Sequence, residues 1–303
     1  MKQRDFVLAL LVVTIWGANF TVVKLGLDGV PPMLLVALRF VFVILPAILF
    51  VRRPAVSARY WMTYGAAVGI GQFGCLFYAM HIGMPAGVAS VVLQSQAFFT
   101  LIFAVILLRE RISTAQLIGL ALSSLGLYLV WSGSGSANVL SIPPFAFLLF
   151  IAGAAFWGIS NIVVRSAAAS AAREGKQLDI LSLIVWSSLI PPIPLFLFAI
   201  LLDTPQGVIG VVVNLDGMSL FTIVYLAYGA TIFGFGIWSK LLSKYPASQV
   251  APLSFLVPVT GLLTAGFVLG EQLLLLQWGG CFLVIIGLLI STFGFPGFLR
   301  SHR

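Results

Sequence analysis

Ten long apolar stretches limit what this chain can fold into more than any other feature of its sequence. A helix needs about 20 mostly apolar residues to cross a lipid bilayer, because it rises by about 1.5 Å per residue. Only 8% of the residues are charged, whereas soluble domains carry about 25%. We therefore predict an all-α integral membrane protein with ten transmembrane helices. They are expected at about residues 6–26, 33–51, 61–80, 86–108, 114–132, 143–164, 180–202, 218–239, 247–269 and 273–295.

The positive residues indicate how these helices are oriented. If the N-terminus is cytoplasmic, all of the 16 Lys and Arg residues except Lys24 and Arg39 lie on cytoplasmic segments. The loops on the other side carry Asp28, Asp203 and Asp216 instead. Because Lys and Arg are retained on the inside, this pattern predicts that both termini are cytoplasmic. The net charge of +8 is spread in ones to threes between apolar runs, so the chain lacks the basic patch of a nucleic-acid-binding protein.

Two parts of the chain repeat each other. The segment LLRERISTAQLIG at 107–119 returns as VLGEQLLLLQWGG at 268–280. A shift of 161 residues aligns them without a gap and places Glu110 on Glu271. Farther forward, WGANFTVVK (from Trp16) resembles WGISNIVVR (from Trp157). Each copy holds five predicted spans, an odd number, so the second copy must enter the membrane from the opposite side. Such inverted repeats are typical of secondary transporters.

The repeat predicts a division of the chain into two domains of five helices each. The first domain is expected at 1–132, with its N-terminus in the cytoplasm, and the second at 143–295, inverted relative to the first. A short periplasmic linker is expected at 133–142. The ten helices are therefore predicted to form two five-helix inverted repeats.

The junctions that end the repeated segments carry a glutamate in both copies. Glu110 and Glu271 survive the inversion, and we expect them to share a structural role there, such as binding free backbone N–H groups. Ser113 and Gln116 predict a capping box at the start of the fifth helix. Neither glutamate is predicted to belong to the substrate site.

The repeated endings resemble those of the EamA-type family in the drug/metabolite transporter superfamily. The stretches WGANFTVVKLGL, MPAGVASVVLQSQAFFT and APLSFLVPVTGL carry the same resemblance, which spans essentially the whole chain. It implies a multi-pass protein of the bacterial inner membrane that exports small metabolites. The sequence of these stretches is most similar to that of exporters of amino acids and derivatives such as cysteine and O-acetylserine. An alternative cargo is a drug-like or aromatic compound, which the aromatic content of 13% would also suit.

Two pairs of polar residues are candidates for the substrate site, because a polar side chain at mid-membrane must face protein or water. Trp16 and Asn19 share one face of the first helix, and Trp157 and Asn161 repeat that pairing on the sixth. Inversion would set the two pairs on opposite walls of a central cavity. There an amide could donate to a carboxylate and accept from an ammonium group. The alternative is that the asparagines join one helix to another.

Three glutamines extend this set. Gln94 and Gln96 lie on nearly opposite faces of the fourth helix. At least one of them should face the cavity, while the other bonds a neighbouring helix. Gln72 shares a face of the third helix with two glycines, so both helix packing and substrate binding remain open for it.

Aromatic residues of the second copy could close the cavity around an apolar part of the substrate. Interfacial anchoring is the alternative reading for Trp and Tyr near helix ends. The complete set of predicted substrate-binding residues is Trp16, Asn19, Gln72, Gln94, Gln96, Trp157, Asn161, Trp186, Tyr225 and Tyr228, and Trp238 is a further aromatic candidate.

The positions of the charged residues indicate whether transport is coupled to a proton gradient. None of the eight acidic residues lies in the middle of a predicted span. Proton-coupled transporters commonly rely on an intramembrane carboxylate or histidine, so the sequence favours facilitated efflux. Lys24 and Arg39 are expected near the outer surface, where they attract a substrate carboxylate or pair with Asp28.

Other function classes find little support in the sequence. It holds no HExxH motif, no P-loop and no Ser/His/Asp or Cys/His grouping, so we predict no catalytic residue, metal or cofactor. A channel would need rings of like polar residues at matched positions, and the asymmetric polar positions of this sequence argue against that class. The predicted partners are a small-molecule substrate and the lipid bilayer, and the oligomeric state stays open, a monomer being compatible with the sequence.

Overall fold

The computed structural model describes residues 1–132, 142–202 and 204–294, and this part of the chain contains helices and no β-strand. The predicted linker, apart from Ile142, and Asp203 lie outside the described residues. The helices are α1 Gln3–Gly26, α2 Pro32–Phe50, α3 58–81, α4 Ala86–Leu108, α5 Thr114–Ser132, α6 Pro144–Arg173, α7 Ile180–Ser187, α8 Pro192–Leu202, α9 Pro205–Val213, α10 Gly217–Lys244, α11 Ala251–Leu269 and α12 Leu275–Phe293.

Eight of the described helices are long and apolar enough to cross a membrane. Helices α7 and α8 pass the same test together but are bent by 41°, so the count rises to nine if they form one span. The predicted third span is helical as α3 but is not among the eight, because its glycines, tyrosines and Gln72 lower its hydropathy. The all-helical membrane class is thus confirmed, and the number of ten spans stays a prediction.

The largest differences from the sequence prediction occur in α6 and α9. Helix α6 runs to Arg173, nine residues beyond the predicted end, because the added segment is rich in alanine, the best helix former. Helix α9 was predicted as an outer loop. It begins after Thr204, whose hydroxyl accepts a hydrogen bond from the Gly207 amide at 3.1 Å. Such an N-cap satisfies one of the free amides of the first turn.

Local sequence explains the irregular helix segments. Pro191, Pro192 and Pro194 lie at the bend between α7 and α8, where proline removes helix hydrogen bonds. Helices α3 and α10 each contain a π-helical stretch, at Ala66–Phe73 and Tyr225–Phe233. Insertions of this kind occur frequently at functional sites. Both stretches contribute residues to the cavity described below.

Helices α5 and α12 pack mainly on each other at one edge of the bundle. Small residues allow their backbones to approach: a Cβ atom on Gly126 would lie 2.6 Å from the carbonyl oxygen of Gly280. Gly119 faces Gly287 in the same way. At the centre of the contact, the Ser123 hydroxyl donates to the Val284 carbonyl at 3.1 Å. Close approach through small residues is the usual mode of helix association in membranes.

The helix junctions before α5 and α12 share a backbone turn. Arg109 and Gly270 end the preceding helices with φ values of 57° and 66°, both in the left-handed region, which glycine adopts without strain. The capping box is confirmed at α5: the Ser113 amide donates to the Gln116 side chain at 2.8 Å, and the Gln116 amide donates to the Ser113 hydroxyl at 3.3 Å.

Asp216 begins helix α10 by accepting a hydrogen bond from the Ser219 amide at 2.7 Å. Hydrogen bonds from the Ser219 side chain and backbone hold the pKa of this carboxyl below its usual value. The cap therefore stays charged at neutral pH, where a negative group at a helix N-terminus is stabilising.

Candidate functional site

A cavity of about 990 Å³ lies in the middle of the bundle. Helices α1, α2, α3, α4, α6, α7, α10 and α11 all contribute to its wall. Its volume lies at the upper end of the range of about 300–1,000 Å³ that is usual for small-molecule sites. Seven of the ten predicted site residues line it: Trp16, Asn19, Gln72, Gln94, Gln96, Trp157 and Asn161.

The cavity is open at one end. Its exposed lining residues include Asp179, Lys240 and Ala251, which lie at the ends of α7, α10 and α11 that were predicted to be cytoplasmic. Its deep lining residues, such as Arg39 and Thr231, are buried. The cavity therefore extends from the predicted cytoplasmic end into the interior of the bundle.

An aromatic cluster forms one wall of the cavity. The Trp16 indole donates to the Ala230 carbonyl at 2.9 Å. Its ring centroid lies 5.2 Å from that of Phe235 and 5.2 Å from that of Trp238. These separations are typical of favourable aromatic pairs. Trp16 is thus held by a hydrogen bond and two rings, with its remaining surface toward the cavity.

The two asparagines that the sequence treats as equivalent have different surroundings. Asn161 donates from Nδ2 to Gln96 Oε1 at 2.8 Å and to Thr100 Oγ1 at 2.9 Å, so it joins α6 to α4. Asn19 Oδ1 is buried and has no hydrogen-bond partner in the described chain. The helix-joining alternative thus describes Asn161, whereas Asn19 keeps an unused acceptor at the cavity.

Gln94 and Gln96 also differ in whether their side chains are hydrogen-bonded to neighbouring residues. The side-chain oxygen of Gln96 accepts from Asn161 at 2.8 Å and from the Thr100 hydroxyl at 3.4 Å. Gln94 lines the cavity and makes no side-chain hydrogen bond within the part of the chain that the structure describes. Both were left open by the sequence, because helical spacing shows opposite faces but not which neighbour each face meets.

Three predicted site residues, Trp186, Tyr225 and Tyr228, are not among the residues that line the cavity in this structure. The Trp186 indole donates to the Val51 carbonyl at 3.1 Å. The hydroxyl groups of Tyr225 and Tyr228 donate to the carbonyls of Ile15 and Leu45, each at 2.7 Å. These polar atoms satisfy backbone acceptors between helices. Trp238, the fourth aromatic residue, does line the cavity.

Arg39 does not lie near the outer surface, which corrects the position expected from the sequence. It is 3% exposed and lines the deep part of the cavity rather than the outer surface. Its Nη2 donates to Thr231 Oγ1 at 2.9 Å, and Lys24 donates to the Met80 carbonyl at 2.7 Å. Neither cation forms an ion pair with Asp28 among the described residues. A charged residue inside an apolar run is a functional candidate by default. The position of Arg39 in such a run could therefore have marked it as a site residue.

The junction glutamates also differ from each other. Glu271 accepts hydrogen bonds from the Ala86 and Gly87 amides at 2.7 and 2.8 Å, which confirms the predicted role of binding free backbone N–H groups at this site. Glu110 instead forms an ion pair with Arg165, and both side chains are about half exposed. The prediction of a shared role is therefore wrong for Glu110.

No cluster of three or more His, Cys, Asp or Glu residues that could hold a metal occurs in residues 1–132, 142–202 and 204–294. The chemistry available at the cavity is recognition by amide, hydroxyl, aromatic and guanidinium groups.

The sequence model of the EamA-like transporter family matches residues 5–132 and again residues 144–293. The chain belongs to the EamA-like transporter family. This confirms the resemblance found in the sequence, and it identifies a multi-pass membrane protein of a transporter family.

Individual proteins agree with this family assignment. The chain is 42% identical over 294 residues to a protein of Escherichia coli strain K12 named "Probable amino-acid metabolite efflux pump", covering 97% of this chain and 96% of the relative. A protein of Salmonella typhimurium with the same name is 42% identical over 295 residues, 97% of each chain. A protein of known crystal structure shares 19% sequence identity with this chain and aligns with it at a TM-score of 0.62. The alignment covers 96% of this chain and 97% of the other, and it supports the fold alone.

Proposed function

We propose that this EamA-family protein exports amino acids or small derivatives of them across the bacterial inner membrane by alternating exposure of the central cavity. The observation that carries the proposal is the cavity itself, which is open at one end and lined by amide, aromatic and guanidinium groups. A cavity of about 990 Å³ readily holds a free amino acid. The name of the two relatives at 42% identity agrees with this cargo.

The proposed architecture consists of ten spans in two inverted five-helix repeats, at 1–132 and 143–295, with a periplasmic linker at 133–142. The double match of the family model supports it. The contact between α5 and α12 supports it as well. There, each contact between two glycines is matched by a second contact between their repeat equivalents, which lie 161 positions away. Gly119 meets Gly287, while Gly126 meets Gly280, as a two-fold axis between the copies would require.

The open end of the cavity indicates the side from which this state of the protein takes up its cargo, and the substrate gradient sets the direction of net flux. Because that end carries the segments with the positive residues, we place it, together with both termini, in the cytoplasm. In this state the protein would load its cargo from the cytoplasm. Asp179 is the acidic residue of the described lining, and it lies exposed at the rim. We therefore propose facilitated efflux rather than proton coupling.

The proposed substrate contacts are Asn19, Gln72, Gln94 and the rings of Trp16 and Trp157, with the Asn161–Gln96 pair acting as a positioning contact. This division gives a test. Gln94→Ala should slow export about tenfold, the value of one hydrogen bond to a charged group, and leave the thermal stability unchanged. Gln96→Ala removes the acceptor of Asn161 and should lower the unfolding temperature. Equal melting temperatures for the two variants would contradict the division.

Transport itself is tested with purified protein in liposomes. Vesicles are loaded with labelled L-cysteine, O-acetyl-L-serine, L-serine or L-phenylalanine, and efflux is compared with that from protein-free vesicles. We expect efflux of at least one of the four, slowed about tenfold by Asn19→Ala. If the wild type moves none of them, amino-acid export is wrong. If efflux requires an imposed proton gradient, facilitated transport is wrong.

A second candidate cargo is an aromatic or drug-like compound. The observation that favours it is the wall formed by Trp16, Phe235 and Trp238. Efflux of an aromatic cation, such as ethidium, at a higher rate than any amino acid would favour this second function.

A further inference from the structure

We infer that the guanidinium of Arg39 is the carboxylate-binding centre of the cavity, so that the cargo must carry a carboxylate. The inference rests on the proposed export function and specifies its substrate class. Arg39 is fixed in the deep part of the cavity by α10, since its Nη2 donates to Thr231 Oγ1 at 2.9 Å.

Two nitrogens of this buried guanidinium have no hydrogen-bond partner among the described residues. Nε and Nη1 are both buried, and neither makes a hydrogen bond within the described chain. A guanidinium is a planar set of five donors that can bind both oxygens of one carboxylate. Leaving a buried charge and its donors unpaired is costly. A chain that keeps such a group at the wall of a cavity therefore presents a site for an anion.

Aromatic rings hold the cation without using its donors. The Cζ atom lies 4.0 Å from the ring centroid of Phe73 and 5.9 Å from that of Phe40. A cation over a ring face is attracted by the ring quadrupole, while the N–H groups point outward in the plane of the guanidinium. The rings thus stabilise Arg39 without an acidic neighbour among the described residues, and they occupy none of its N–H donors.

The charges of the chain leave the deep cavity positive. The ion pairs of the described residues lie elsewhere, at Glu110, Glu174 and Asp5. The carboxylate of Asp179, at the rim, accepts hydrogen bonds from the Leu181 amide at 3.0 Å and from the Ser182 hydroxyl at 2.6 Å. An uncompensated guanidinium repels organic cations and attracts carboxylates. The cavity should therefore select against amines that lack a carboxylate.

A second unpartnered atom completes the recognition. Asn19 Oδ1 is buried and has no hydrogen-bond partner among the residues that the structure describes, and Asn19 lines the same cavity as Arg39. An amide oxygen accepts hydrogen bonds from an ammonium group. Free donors on Arg39 and a free acceptor on Asn19 are complementary to a molecule that carries both a carboxylate and an ammonium group, as an α-amino acid does.

The test compares acids with their primary amides, which keep the side chain and the ammonium group but lack the negative charge. Efflux of L-cysteine, L-serine and L-phenylalanine from wild-type proteoliposomes is measured beside that of the three amides, after subtraction of leakage from protein-free vesicles. We expect the acids to leave at least about 30-fold faster, as for loss of one partner from a buried charged pair. Arg39→Gln should bring this ratio close to one, and Arg39→Lys should restore part of it.

Arg59→Gln serves as the control, because it removes an arginine that is exposed and outside the cavity, and it should leave the ratio unchanged. If the wild type moves none of the acids, amino-acid export fails and the inference fails with it. If the wild type moves acids and amides equally, or folded Arg39→Gln keeps the wild-type ratio, export stands and the inference alone is wrong. Should Arg39→Gln not fold, a wild-type acid rate and ratio in Arg39→Lys would overturn the inference.

Discussion

Glu271→Ala is expected to lower the free energy of unfolding by about 1–3 kcal/mol, the cost of leaving buried amides without a partner. The carboxylate of Glu271 accepts from the amides of Ala86 and Gly87 at 2.7 and 2.8 Å. These are the first two residues of α4, whose amides have no partner inside the helix and lie at the positive end of its dipole. Glu271 thus ties the start of α4 to the end of α11. Thermal unfolding in detergent measures the loss.

The same substitution should reduce export about tenfold or more. The Glu271 contact involves the start of α4, and none of Ala86, Gly87 and Glu271 lines the open cavity. We therefore expect it to keep the opposite end of the cavity closed. Losing about 1.4 kcal/mol from one of two exchanging states shifts their ratio tenfold. Efflux of the amino acids from proteoliposomes provides the measurement.

Glu110→Ala is the matched control for this prediction. Glu110 is the repeat-related glutamate, but it pairs with Arg165, and the two side chains are 41% and 48% exposed. Exposed ion pairs contribute about 0–1 kcal/mol, so this variant should retain nearly all of its stability. A larger destabilisation by Glu110→Ala than by Glu271→Ala would contradict the assigned roles. Glu271→Gln, which keeps one acceptor oxygen, should lie between alanine and the wild type.

Gly280→Val is expected to destabilise the protein by about 1–3 kcal/mol or more, as overpacking of a close contact does. A Cβ atom at this position would lie 2.6 Å from the Gly126 carbonyl oxygen and 2.8 Å from the Val130 amide nitrogen. These neighbours are backbone atoms of α5, which cannot rotate away as a side chain can. Helices α5 and α12 would have to separate, and they pack mainly on each other.

The adjacent glycine provides the control for the helix pair. A Cβ atom on Gly279 would meet nothing within 4 Å, so Gly279→Val adds the same side chain to the same helix without a clash. Size-exclusion chromatography and thermal unfolding should show a loss for Gly280→Val alone. Equal behaviour of the two variants would indicate that the contact between α5 and α12 contributes little to stability.

Much of the architecture could be predicted from the sequence because hydropathy acts locally. An apolar run of about 20 residues has few alternatives to a membrane helix, and the observed helices follow the predicted spans closely. The prediction failed for α9, which has only nine residues, and for the end of α6, which is alanine-rich rather than strongly apolar. Helical spacing also selected seven residues that line one cavity, out of ten predicted site residues, because a mid-membrane polar residue must turn toward the protein interior.

The sequence by itself determined the class, the family and the positions of the membrane helices, because these depend on composition and on order along the chain. The tertiary structure decided which polar group is used by a neighbour and which remains free. Asn161 and Gln96 satisfy each other, whereas Asn19 and Arg39 line the cavity and each hold buried polar atoms that have no partner among the described residues. Residues that look equivalent in a repeat differ in this way because partners are supplied by other helices, at distances that no spacing within one helix can specify.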